Sequence, residues 1–173
     1  MNIRLRLARK SDFVAYTALL QRTHEATFPN KKIGLTKKCF SKEIFATDDT
    51  QAYLRSNLEK GAHQRTWLAV TGRELVGAIT IEKKGKEYEI RGFYVASEHQ
   101  GHGIGKRSWQ RALGFADGRP VVLDVYAHTR NIIALYKRWG FVVDKKKKPT
   151  YSHWPEWPKG IRVKRIYMRL ENA

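Results

Sequence analysis

The order of periodic segments predicts an α/β domain of the layered α+β kind: a mixed, mainly antiparallel sheet of about six to seven strands flanked by helices. Three observations carry this. Between Trp67 and Val95, three β-type runs separated by short polar turns read as an antiparallel meander. Val121 to Val125 is nearly continuously apolar, the mark of a buried strand. Helix-period patterns stand before and after these runs.

The elements follow in order. Ile3, Leu5 and Leu7 alternate with polar neighbours, which predicts a first strand. Ser11 is then placed to cap a helix, with Asp12 near its positive end and Phe13, Tyr16, Leu19 and Leu20 on its apolar stripe. Residues 36 to 60 carry two more helical patterns, broken near Thr47 to Thr50, the second closed by Gly61. The meander runs through Trp67–Val70, Leu75–Ile81 and Tyr88–Val95. A glycine-rich turn opens a helix with Trp109, Ala112, Leu113 and Ala116 on one face. The buried strand comes next, then a helix over 131–139 ended by Gly140, and two closing strands, one from Phe141 and one through Ile166, Met168 and Leu170. With no linker or repeat, residues 1–173 read as a single domain.

Composition narrows the class. Hydrophobic residues make up 42%, too many for wholesale disorder. No apolar run reaches the roughly 18 residues a membrane helix needs, and no signal region follows the N-terminus. A cytoplasmic protein with no membrane partner is expected. The single Cys39 excludes an internal disulfide. Lys and Arg number 34 against 16 Asp and Glu, a formal +18. Such a field favours anionic partners: nucleic acid, an acidic protein or a phosphate-rich cofactor. It also suits a solvated, soluble face.

The segment from Phe93 to Lys106 is the most informative. A strand runs into a turn with Gly101, Gly103 and Gly105, and the turn into a helix. Glycine admits close ligand approach, and the first helical amides lack internal partners, so the site suits a pyrophosphate. A P-loop would need Gly at Gln100 and Ser or Thr at Arg107, so that pattern fails. The G-x-G-x-G spacing also departs from the dinucleotide fingerprint.

Gln100-x-x-Gly103-x-Gly105 resembles the Q/R-x-x-G-x-G/A motif of the GNAT superfamily of N-acetyltransferases, and Phe93-Tyr94-Val95 looks like that family's fourth strand. Asn131 through Ala134 and Tyr136 to Gly140-Phe141 resembles the family's second motif. The likeness is sharp from about 88 to 141 and extends over the chain by element order. It implies a sheet whose central strand pair splays apart, and acetyl-CoA as cosubstrate. Gly101, His102, Gly103, Ile104, Gly105 and Lys106 would hold the pyrophosphate, with Gln100 and Asn131 among the cofactor contacts. The pantetheine arm would lie along Phe93, Tyr94 and Val95, and an amide near Val95 would polarise the thioester carbonyl. Thr27-Phe28 and the helical insert are similar to the spermidine/polyamine-acetylating branch.

Tyr136 resembles the family's general acid, and a core tyrosine is the competing reading. Glu89 is the first candidate for the base, with Asp124 and Tyr126 as rivals. No covalent intermediate is needed for direct attack by a primary amine in a ternary complex. His99, His102 and His128 lack the spacing of a metal site, so none is expected. Trp154 and Trp157 form either an aromatic wall at the acceptor site or a cap on the sheet edge.

The reading is thus an acetyl-CoA-dependent N-acetyltransferase acting on a small amine, a polyamine or a peptide or protein amine, as a monomer or homodimer. Two alternatives stand beside it. One is a nucleic-acid-associated acetyltransferase acting on aminoacyl-tRNA or a ribosomal protein. The other is a non-enzymatic basic nucleic-acid-binding module, which leaves both motifs unexplained.

Overall fold

The computed structural model describes residues 2–172. Eight strands are β1 (Ile3–Leu7), β2 (Gln64–Thr71), β3 (Glu74–Lys84), β4 (Glu87–Val95), β5 (Val121–Tyr126), β6 (Val142–Val143), β7 (Thr150–Ser152) and β8 (Val163–Leu170). Five helices are α1 (Phe13–Thr27), α2 (Lys42–Phe45), α3 (Asp48–Asn57), α4 (Ile104–Ala116) and α5 (Arg130–Arg138). The strands form one mixed sheet in the order β1-β2-β3-β4-β5-β8-β6, with β7 also on β8. Among the described residues, only β4 and β5 pair in parallel. The expected layered α/β class is therefore observed. The strand beyond the expected count is β7, which pairs with β8 through Tyr151 opposite Lys164.

Two further local expectations change. Ser11 does not cap α1. A 3-10 turn covers Lys10–Asp12 and α1 begins at Phe13. Asp12 stands at the N-cap position without a side-chain cap bond, its carboxylate gripped by Arg6 at 2.6 and 2.7 Å and accepting from the Arg9 amide at 2.7 Å. Gly61 does not close α3, which ends at Asn57 with Leu58 as its C-cap. Leu58 and Asn57 are buried, so the chain turns inward before the glycine is reached.

Each face of the sheet carries its own core. On one, Tyr16, Leu19 and Leu20 of α1 meet Phe40, Phe45 and Leu54 of the insert and Trp157 of the β7–β8 loop. On the other, Trp109, Ala112 and Ala116 of α4 and Tyr136 of α5 pack on Ile79, Ile81, Leu123 and Val125. β3 is buried from Leu75 to Ile81 because it is covered on both faces. Trp157 ties the loop down by donating from Nε1 to the Cys39 carbonyl at 2.8 Å.

His24 lies within the first core, its Nδ1 donating to Leu20 O at 2.7 Å among the rings of Phe28, Phe40, Phe45 and Tyr94. Burial pushes its pKa down to about 4. An unfolded histidine titrates near ~6.5, so the unfolded chain binds the extra proton first. This contribution to stability is complete above about pH 6.5 and is lost as the pH falls from there toward 4. Asp12, held below the usual carboxylate range by Arg6, titrates lower still. Urea-unfolding free energies between pH 7 and 4.5 are expected to fall in the wild type and to run flatter in His24→Gln.

Candidate active site

The site begins with a register defect. Thr80 pairs with Gly92, while its neighbour Ile81 pairs with Ile90, so Arg91 is an extra residue, a β-bulge in β4. Before the bulge, β4 and β5 pair at Tyr88 with Val121 and at Glu89 with Val122. Beyond these two positions the strands separate. The opening leads into a cavity of about 490 Å³, roofed by α1, α3 and the β7–β8 loop. The expected splayed pair is thus β4 and β5. Gly92 is required here, because a Cβ would lie 2.7 Å from Cε2 of the Tyr94 ring, which folds back over it. The bulged Arg91 is held by Gln64 Oε1 at 2.8 Å.

Backbone alternation supplies donors along the opening. Ala96 donates its amide to Val76 O at 2.9 Å, toward β3. Val95, one residue earlier, therefore turns its amide and carbonyl to the opposite, splayed edge. The carbonyl is engaged there by Gln100 Nε2 at 3.1 Å, which braces the glycine turn against the strand end.

The turn itself has the conformation its glycines permit. Gly101 and Gly103 have φ of 79° and 75°, in the left-handed region where a side chain is strained. The first amide of α4 with a nearby carbonyl partner is that of Arg107, bonded to Gly103 O at 3.0 Å. The amides of Ile104, Gly105 and Lys106 precede it and are left as donors at the positive end of the helix. Gly101, His102, Gly103 and Lys106 are exposed. Ile104 is 1% exposed and packs on Ile3, Ala69 and Val76, so its side chain anchors the turn and only its amide faces outward. This cradle fits a pyrophosphate: unpaired amides, no acidic side chain in the turn, and open space above both left-handed glycines.

Two groups with chemical capacity border the opened strands. Tyr136 of α5 is buried, its ring edge-on to Trp139 and Phe141, and it lines the cavity. Burial raises its pKa well above the ordinary phenol value and the Asp124 charge adds to this, so it is a neutral donor at working pH. Asp124 of β5 lines the same cavity just past the last β4–β5 pair. Burial raises its pKa, and Arg165, 3.4 Å away, works against the rise. At the far end His24, Phe28, Phe45, Tyr94, Tyr126 and Trp154 make an aromatic chamber. Trp154 stacks on Trp157 with ring centres 5.5 Å apart. Trp154 is thus a wall of the cavity, while Trp157 is the buried prop behind it.

The predicted residues divide accordingly. Phe93, Tyr94 and Tyr136 line the cavity, and Val95, Gln100 and the 101–106 turn continue from its β4 edge. Asn131 lies exposed in the first turn of α5, outside the lining. Glu89 is also outside it: it precedes the bulge and still pairs with Val122 where the strands are closed. Its rivals Asp124 and Tyr126 are both inside. Sequence reasoning missed His24 and Arg165. His24 stood in an unremarkable amphipathic helix, and Arg165 alternates on a strand like any basic residue. Elsewhere, Glu74, Glu98 and His99 bring ligand atoms within 4.8 Å of one another, but the Arg22 guanidinium lies 3.3 Å from Glu74 and occupies that cluster's charge. Among the described residues, no helix is long and apolar enough to cross a membrane.

A mixed sheet opened at a parallel strand pair, with an anion cradle at the mouth and a tyrosine and a carboxylate lining the cavity, is the architecture of a CoA-dependent N-acetyltransferase. Comparison with known proteins agrees. The chain belongs to the acetyltransferase (GNAT) family, whose profile matches residues 31–141. Over 104 residues it is 33% identical to the N-alpha-acetyltransferase RimI of Mycobacterium tuberculosis, a match covering 57% of this chain and 66% of that protein, slightly under two thirds of the relative's length. Among solved structures, the ribosomal-protein-S18-alanine N-acetyltransferase of Escherichia coli superposes with a TM-score of 0.68 at 19% identity, covering 99% of this chain and 95% of that one. The PaiA N-acetyltransferase of Thermoplasma acidophilum, solved with coenzyme A, gives a TM-score of 0.65 at 17% identity over 99% of both chains. At these identities the structural likeness speaks to the fold alone.

Proposed function

We propose that this protein transfers the acetyl group of acetyl-CoA to the α-amine of a protein or peptide N-terminus, by direct attack in a ternary complex. The observation that carries the reading is that Asp124 and Tyr136 share the cavity between the splayed strands. The 101–106 amides would bind the pyrophosphate, and the arm of the cosubstrate would run along the free edge of β4. The Val95 amide, turned to that edge, is in position to hydrogen-bond the thioester oxygen as charge develops on it. Asp124 takes the proton that the attacking amine must lose. Tyr136 donates to the departing sulfur. Asp124 replaces Glu89 as the base in this account, because of these two carboxylates Asp124 alone lines the cavity.

The preference for an α-amine follows from the weakness of that base. An α-amine has a pKa of ~7.7–8.0, so at pH 7.5 roughly a third is already neutral, whereas a lysine or polyamine nitrogen near ~10.4 is about a thousandth neutral. A carboxylate suffices for the first and is poorly matched to the second. The N-alpha-acetyltransferase relative supports the same choice. The aromatic chamber is suited to the apolar parts of a peptide's first residues.

The test is a competition. Purified protein, acetyl-CoA and three acceptors are incubated: a peptide with a free N-terminus and no lysine, the same peptide N-terminally blocked with one lysine, and spermidine. Mass spectrometry is expected to find acetylation of the first alone or far ahead of the others. Preferential acetylation of spermidine or lysine would overturn the α-amine reading while leaving the cosubstrate site intact.

A further inference from the structure

We infer that the outer face of the β7–β8 ribbon, together with the basic insert beside it, is a docking surface for single-stranded RNA. The register of this ribbon sorts its residues into two faces. Ser152 and Arg165 face inward and line the acceptor cavity. Tyr151 lies directly opposite Lys164 and both are exposed, so they share the outward face. Arg162, two residues before Lys164, joins them, its guanidinium 5.3 Å from the centre of the Tyr151 ring. Tyr151 is 55% exposed, among the most exposed aromatic side chains described.

Lysines cluster beside this face. A Cβ on Gly34 would touch Ile161 at 3.8 Å, and Trp157 is bonded to Cys39, so the insert abuts the loop that leads into β8. This brings Lys31, Lys32, Lys37 and Lys38, all exposed, to the same lobe. None of these lysines, nor Arg162 or Lys164, forms an ion pair with a described residue, in contrast to Lys84 and Lys147. A stacked ring flanked by unpaired cations is what unpaired bases and phosphates require: a π-face for the base and a cationic track for the backbone. An acidic protein would use the cations and leave Tyr151 idle. The strand pair that binds RNA on one face borders the acceptor cavity on the other, so RNA bound here would sit beside an incoming acceptor.

The inference does not depend on the acetyl-transfer reading and is tested without acetyl-CoA or acceptor. Fluorescence anisotropy is measured on the full chain with a labelled twelve-nucleotide mixed-sequence RNA at several salt concentrations, beside the same sequence as a duplex and a polyglutamate of equal charge. The single strand is expected to bind most tightly, with affinity falling as salt rises by ~0.7 log units per log unit of salt for each phosphate neutralised. Tyr151→Ala is expected to weaken it about tenfold, as loss of one stacked base does, while Tyr151→Phe retains it. Arg162→Ala/Lys164→Ala lowers both affinity and salt slope, and Lys83→Ala/Lys86→Ala at the tip of the β3–β4 hairpin leaves both unchanged. Equal loss from the two double variants, indifference to Tyr151→Ala, or equal binding of duplex or polyglutamate would overturn the proposal in favour of a diffuse basic field. These side chains are largely exposed, so folding is checked by thermal melting and is expected to be unaffected.

Discussion

Tyr136→Phe is expected to lower kcat about a hundred- to a thousandfold, the range a positioned proton donor contributes, with the affinity for acetyl-CoA unchanged. The substitution removes one oxygen and keeps the ring, so the packing against Trp139 and Phe141 survives. The loss therefore belongs to chemistry. Burial and the neighbouring Asp124 charge keep the phenol protonated, and that is the state in which it can donate to a sulfur leaving as thiolate. The loss should depend on the leaving group: an acetyl donor with a more acidic thiol needs less help, and the variant should recover part of its rate with it. A Phe variant with full kcat would reduce Tyr136 to a core tyrosine.

Asp124→Asn is expected to lower kcat/KM for a peptide α-amine about tenfold at pH 7, the inverse of the neutral amine fraction there, and the deficit should shrink as the pH rises toward 9. The wild-type carboxylate accepts the amine's proton inside the site and stays effective until the pH falls toward its own burial-raised pKa. The amide accepts none, so the variant relies on amine already neutral in solution, a fraction that climbs tenfold per unit below ~8. Glu89→Gln should leave the profile nearly intact, since Glu89 sits on the closed part of the strand pair. A constant ratio of wild type to Asp124→Asn across this range would remove Asp124 from proton transfer. The two variants form one unit with the substrate between them, so their combined effect should fall short of the product.

How much of this was legible in the chain depends on how local each feature is. The conformation of the glycine turn is legible because everything it needs lies within a few residues: left-handed positions at Gly101 and Gly103, and free amides at the start of α4. The motif around Tyr136 singles it out, and the structure puts it in the cavity lining. The choice between Glu89 and Asp124 is not legible, because it turns on where β4 and β5 stop pairing, a property of two strands joined by a helix. The bulge at Arg91 lies just beyond the last pair, and no residue type announces it. The cap of α1 was lost to a side chain from another element, Arg6 of β1. β7 was hidden because three residues pairing at a sheet edge leave no periodicity to detect. Trp154 and Trp157 were both visible as costly aromatic residues, but only the Cys39 carbonyl, distant in sequence, decides which is wall and which is prop.

The central claim is that the splayed β4–β5 mouth, with the glycine turn at its entrance, binds acetyl-CoA. Isothermal titration of acetyl-CoA into the wild type and Gly103→Val tests it most directly. At φ 75° a β-branched residue is strained by about 1–2 kcal/mol or more, and relieving that strain moves the amides that meet the pyrophosphate. The account predicts one-to-one binding by the wild type and binding at least about tenfold weaker in a folded variant. A folded wild type that takes up no acetyl-CoA, or a variant that binds it as well as the wild type, would contradict it.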